Sequence, residues 1–186
     1  MMRNKSIDCL KFFLIIFVII GHFIEPSRYC NSISTVLYSL VYSFHMPLFV
    51  FLSGYFYRYR NVKEEFGKCF PLIETFLVAH IGCCIVSRDF SWHNFLNPGL
   101  NPSWYLFGLI CWRLFSSAMF AKYSFKEVFL AALVVEILLF ILLPESMVLC
   151  LLMKTISFYP YYLLGIYFRG GEKINQDRQY RLFSWV

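Results

Sequence analysis

Four side chains near the N-terminus are of types that perform chemistry, and they stand where an apolar setting makes them costly. Asp8, Lys11 and His22 interrupt or flank the run SIDCLKFFLIIFVIIGHFIEP, and His45 lies inside the apolar stretch SFHMPLFVFLSGYF. An imidazole titrates near neutrality, so a histidine can take a proton from a hydroxyl as general base or attack an activated carbonyl as nucleophile. At about 100° and about 1.5 Å per residue, a helix brings Lys11 and His22 within about 20° of one face, about 16 Å apart along its axis. Asp8 falls near the same face, at a spacing suited to pairing with Lys11. One polar stripe on an apolar helix points into a bundle or a watery cavity. The competing reading has Lys11 snorkelling to headgroups and His22 at the opposite interface.

These residues need elements that hold them in lipid. Hydrophobic residues make up 59% of the 186, aromatics 21% and charged residues 15%, with a mean hydropathy of +0.60. A water-soluble domain of this size cannot hide that much apolar surface in one core. Six windows near the length of roughly 20 residues that a span requires occur, at 10–25, 36–57, 70–87, 103–120, 128–143 and 147–168. The fold class expected is therefore all-α, a polytopic transmembrane helix bundle of about six spans in one membrane-embedded domain, 1–186. Asp8 and Lys11 break the first run and no small-residue cleavage site follows His22, so that run reads as a retained span rather than a secretory signal.

Basic residues set the orientation. Arg3, Lys5, Arg58, Arg60, Lys63, Lys68, Lys122, Lys126, Arg169, Lys173, Arg178 and Arg181 fall on one side of the alternating spans, against Arg28 and Arg88 on the other. Both termini are expected on the cytoplasmic side of a cell membrane. The net charge of +6 follows from this bias and from attraction to anionic headgroups, so no nucleic-acid partner is expected. The seven cysteines lack metal-ligand spacing and read as small buried hydrophobes, and no metal is expected. His80 and His93 likewise lack ligand spacing.

In the second window Pro47 removes a backbone donor beside His45, while Ser53 and Gly54 read as small residues that let helices approach. The first helix runs outward and the second returns, so His22 and His45 are expected at depths differing by only about 7 Å. Arg113 and Glu74 stand at similar depth and are expected to pair, with phosphate as the other partner for Arg113; Glu136 and Lys154 are expected to pair as well. Trp104 suits either an acceptor pocket or an interfacial aromatic belt. The loop SRDFSWHNFLNPGLNPS reads as irregular backbone with interfacial aromatics.

The segments DCLKFFLIIFVIIGHF, YSFHMPLFVFLSGYF and NPSWYLFGLICWRL, in this order inside consecutive apolar windows, resemble the acyltransferase-3 family of integral-membrane O-acyltransferases, in particular its fucose 4-O-acetylase-like branch. The first carries a basic residue, ten intervening residues and a histidine; many members have arginine where this chain has Lys11, which keeps the charge and loses the planar fork. The resemblance implies transfer of an acetyl group from cytoplasmic acetyl-coenzyme A to a carbohydrate hydroxyl of a cell-surface glycan or its lipid-linked precursor. It implies His22 as the central catalytic residue; the reading of the residues adds Lys11 and Asp8 as its first-helix partners and His45 as a second-helix contributor, with Lys11 and Arg113 toward the donor and Trp104 toward the acceptor. It also implies that the chain covers about the first half of such a domain. A transporter or flippase component with a charged intramembrane path, or an inactive truncated relative, are the alternatives.

Overall fold

The computed structural model describes residues 5–27, 29–87, 103–142 and 150–170. Arg3, Arg28, Arg88, His93 and the rest of the loop 88–102, the segment 143–149, and the C-terminal basic residues Lys173, Arg178 and Arg181 lie outside them. The described residues form six α-helices and no strand: α1 Lys5–Ile24, α2 Ser32–Tyr55, α3 Val62–Ser87, α4 Trp104–Lys122, α5 Phe125–Leu142 and α6 Cys150–Phe168, with a 3-10 turn at Glu25–Ser27 after α1. The all-α helical bundle expected from composition is the one found among the described residues.

Four of the helices are long and apolar enough to cross a membrane: Asp8–Ser27, Ser32–Tyr55, Val62–Val86 and Trp104–Lys122. Six spans were expected; α5 carries Lys126, Glu127 and Glu136, and α6 dilutes its aliphatic residues with Lys154 and tyrosines. The α3 helix begins eight residues before its window because the polar turn Val62–Lys68 continues the helix beyond the apolar stretch. Caps explain such starts. Asn31 Oδ1 accepts from Ser34 N at 2.7 Å, Asn61 Oδ1 accepts from Glu64 N at 2.8 Å, and Ser124 with Glu127 closes a reciprocal box in which Glu127 Oε2 accepts from Ser124 N at 2.7 Å.

Large apolar side chains such as Phe12, Phe23, Val78, Val86, Phe140 and Ile141 face outward, as lipid as solvent allows. The interior is aromatic and narrow: Trp112, Phe120, Tyr162, Leu163 and Ile166 gather where α4, α5 and α6 meet. Helix α6 packs along α2 and also against α4 and α5, whereas α1 leans on α2 and α3 on α4. Without a hydrophobic force between helices in lipid, interhelical polar bonds and close packing hold such a bundle. Trp112 Nε1 donates to the Thr155 carbonyl at 2.6 Å, Ser116 and Tyr159 hydroxyls meet at 3.0 Å, and Ser53 and Tyr105 hydroxyls meet at 2.6 Å.

The α2–α6 contact depends on two glycines. A Cβ on Gly54 would overlap the Tyr162 carbonyl, and one on Gly165 would overlap the Phe51 carbonyl. Gly54 thus has the packing role its size suggested. The Glu136–Lys154 pair is not formed; Lys154 Nζ lies 5.5 Å from the Trp104 ring centroid, a cation–π contact. Of the cysteines, Cys69 and Cys84 are buried as expected, while Cys9 and Cys30 are exposed.

Gly54→Leu and Gly165→Leu are each expected to abolish a monodisperse peak in detergent size-exclusion chromatography, since the new side chain meets rigid backbone. Gly67→Ala, where nothing lies within 4 Å of the added Cβ, is expected to hold or raise the melting temperature, alanine being favoured over glycine in a helix by up to about 1 kcal/mol.

Candidate functional site

His45 is buried on α2, and its Nδ1 lies 2.6 Å from the Val41 carbonyl oxygen. A carbonyl only accepts, so Nδ1 carries the proton and Nε2 of the neutral ring keeps its lone pair. Tyr42, three residues earlier and hence on the same helix face, stands edge-to-face with His45 at a centroid distance of 4.8 Å and edge-to-face with His22 at 6.5 Å. Gly21 makes room for that ring: a Cβ there would sit 3.2 Å from Tyr42. On α1, His22 Nδ1 lies 3.1 Å from Glu25 Oε2, with side-chain exposures of 39% and 43%. The carboxylate accepts, so Nδ1 again holds the proton and Nε2 is the basic atom. The two histidines that the sequence singled out are therefore brought together around one tyrosine.

At the basic end of the same helices lies a cavity of about 490 Å³ between α1, α2, α4 and α6, lined among others by Lys11, Ser53, Tyr57, Arg58, Arg60 and Arg113. Its wall climbs α2 as far as Phe49 and α1 as far as Ile15, which at the helical rise leaves about 6 Å to His45 and about 10 Å to His22. Lys11 Nζ sits 3.9 Å from the Phe56 ring centroid. The Asp8–Lys11 pair that the spacing permits is not formed, because Lys11 turns toward α2. Asp8 itself is half-buried in the first turns of α1.

The charge opposite Arg113 is Glu65, not Glu74. Arg113 Nε donates to Glu65 Oε1 at 2.5 Å, Arg60 Nη1 donates to Glu65 Oε2 at 3.2 Å, and the Glu65 side chain has no exposed surface. Nine residues of helix turn a side chain about 180°, which puts Glu74 on the opposite, exposed face of α3. Two arginines share one buried carboxylate, so the cluster keeps a net positive charge. Trp104 stands apart from this cavity, tilted against Phe158 at 5.2 Å and beneath Lys154. Among the described residues no group of three or more His, Cys, Asp or Glu side chains converges as a metal site requires.

Tyr42, Tyr57 and Glu65 escaped the sequence reading, which placed Arg60 only among the basic residues of the cytoplasmic side. A signal existed for Tyr42, its three-residue offset from His45; none existed for Glu65, which sits in the first turn of a helix, where acidic residues are commonplace.

Comparison with curated proteins and with solved structures gives no match. A family model described as an acyltransferase domain matches residues 4–186, a stretch that takes in the paired histidines, the basic cavity and every helix between them. The chain belongs to the acyltransferase-3 family and is a membrane acyltransferase.

Proposed function

We propose that this protein is an O-acetyltransferase of the fucose 4-O-acetylase-like kind, moving an acetyl group from acetyl-coenzyme A to a carbohydrate hydroxyl of a cell-surface glycan or its lipid-linked precursor. The observation that carries the reading is a cavity that opens on a cluster of cations and whose wall rises toward two histidines, ending about 6 Å short of His45 along α2. The coenzyme is a polyanion with a long thin arm ending in the thioester. Lys11 and Arg113 attract the phosphates, and the arm follows the wall formed by Ile15, Phe49 and Leu109 toward His45 and His22. The basic end faces the cytoplasm of a cell membrane, where the donor is made.

In the reaction His22 Nε2 removes the proton from the acceptor hydroxyl while Glu25 stabilises the resulting imidazolium, as a carboxylate behind a catalytic histidine does. The sugar oxygen attacks the thioester carbonyl, a C–O bond forms, the C–S bond breaks, and the thiolate leaves with the proton returned through the imidazolium. His45, oriented by the Val41 carbonyl and joined to His22 through Tyr42, polarises or orients the reacting groups. Asp8 adds negative charge near the entrance, and Trp104 offers an aromatic face for a sugar ring.

Glycan-linked O-acetate, measured by mass spectrometry in cells expressing the protein, is expected to disappear in His22→Ala. A loss of about 100-fold or more in rate is the scale for removing a positioned base. His45→Asn preserves a donor to the Val41 carbonyl and removes Nε2, so it is expected to keep the melting temperature and lose most of the acetate. Acetate that persists unchanged in His22→Ala sinks the catalytic assignment.

A further inference from the structure

We propose that the basic end of the cavity contains a phosphoryl-binding subsite in which Tyr57 Oη and the unshared N–H groups of Arg60 and Arg113 donate to phosphoryl oxygens, with Glu65 as the positioning residue that holds the two guanidiniums together. The inference rests on the reading above in which the acyl donor carries a diphosphate, and it assigns that diphosphate its partners.

Tyr57 supplies the decisive observation. The residue is 7% exposed and lines the cavity, and its hydroxyl is the buried side-chain polar atom that has no hydrogen-bond partner among the described residues. A buried hydroxyl left unpartnered is costly, and such groups in native proteins call for a reason. Burial, and after it the Glu65 carboxylate, push the phenol well above its usual range, so it remains an O–H donor that an anionic oxygen satisfies.

The neighbouring cations are arranged for the same ligand. Glu65 takes Nε of Arg113 and one Nη of Arg60, leaving Nη groups of Arg113 and Nε with the other Nη of Arg60. Their side chains keep 22% and 31% exposure on the cavity side of an otherwise buried carboxylate. Arg60 is fixed from behind as well, because Ser117 Oγ donates to its carbonyl at 2.8 Å. Arg169 Nη1 donates to the carbonyls of Tyr55 at 3.1 Å and Tyr57 at 3.2 Å, so the backbone that carries Tyr57 is clamped. Two held forks and a phenol present several donors and a positive field at one place, which matches a phosphoryl group better than a carboxylate or a neutral sugar. The same chemistry occurs in a phospholipid headgroup; the position of the cavity between four helices, with its wall rising toward the histidines, favours the soluble donor.

Calorimetric titration of the purified protein in dodecylmaltoside, with inorganic pyrophosphate, coenzyme A and pantetheine as probes, tests the assignment. Pyrophosphate and coenzyme A are expected to bind saturably and pantetheine, which lacks the diphosphate, is not. Tyr57→Phe is expected to weaken pyrophosphate by about 10- to 100-fold, the scale of one hydrogen bond to a charged group, while the melting temperature of the ligand-free protein stays level or rises because a stranded hydroxyl is gone. Arg60→Lys keeps the charge and loses the fork, and is expected to weaken pyrophosphate as well. Unchanged pyrophosphate affinity in Tyr57→Phe, or no saturable binding to the wild type, overturns the subsite. Coenzyme A binding that survives in phosphatidylcholine nanodiscs and is abolished by added phosphatidylglycerol identifies a headgroup site and overturns the assignment to the donor. Acetate formation with Tyr57-independent pyrophosphate binding removes the subsite and leaves the transferase reading standing; Tyr57-dependent binding without acetate does the reverse.

Discussion

The contact on which the rest of this bundle depends is the backbone-to-backbone approach of α2 and α6 at Gly54 and Gly165. Each glycine faces a carbonyl of the other helix, Tyr162 and Phe51, so the two chains touch where side chains would normally separate them. In lipid the alternative contact for an apolar side chain is another apolar tail, and close approach gains dispersion that looser packing cannot. Everything at the basic end is referenced to this crossing. Tyr57 stacks edge-on with Tyr162 at 5.9 Å, and Arg169, just past the end of α6, reaches back to the carbonyls at the end of α2.

A second constraint follows from charge in a low-dielectric setting. Glu65 is wholly buried, and a lone carboxylate there would be expensive; Arg60 and Arg113 make it tolerable. The pairing also fixes geometry, because Arg113 comes from α4 and Arg60 from the linker after α2, while Glu65 belongs to α3. Three segments are thus tied at one carboxylate. The excess positive charge is turned toward the cavity that Lys11 also lines.

The histidines illustrate a different economy. His45 is locked by its own helix, four residues back, and His22 by the 3-10 turn that ends α1. Each bond is local, made within four residues of the histidine it orients. What brings the rings near one another is Tyr42 filling the space that Gly21 leaves, a contact between α1 and α2. A local bond orients each ring and a tertiary one juxtaposes them, a division that suits a site which must be preorganised inside a mobile solvent.

Much of this was legible in the residues themselves. Composition and the apolar windows determined an all-α membrane bundle, because in lipid the backbone must satisfy itself within each segment. Motif order pointed to the family, and the expense of polar side chains in apolar runs pointed to Lys11, His22, His45 and Arg113. Tertiary structure decided the pairing. Helical periodicity gives depth and face within one helix, but which face meets which neighbour depends on how helices rotate against each other. Matched depth pointed to Glu74 as the partner of Arg113, whereas α3 turns Glu65 inward and leaves Glu64 and Glu74 exposed. The same reason hid Tyr57, whose importance lies in a hydroxyl buried by α6, a helix about 100 residues away in sequence.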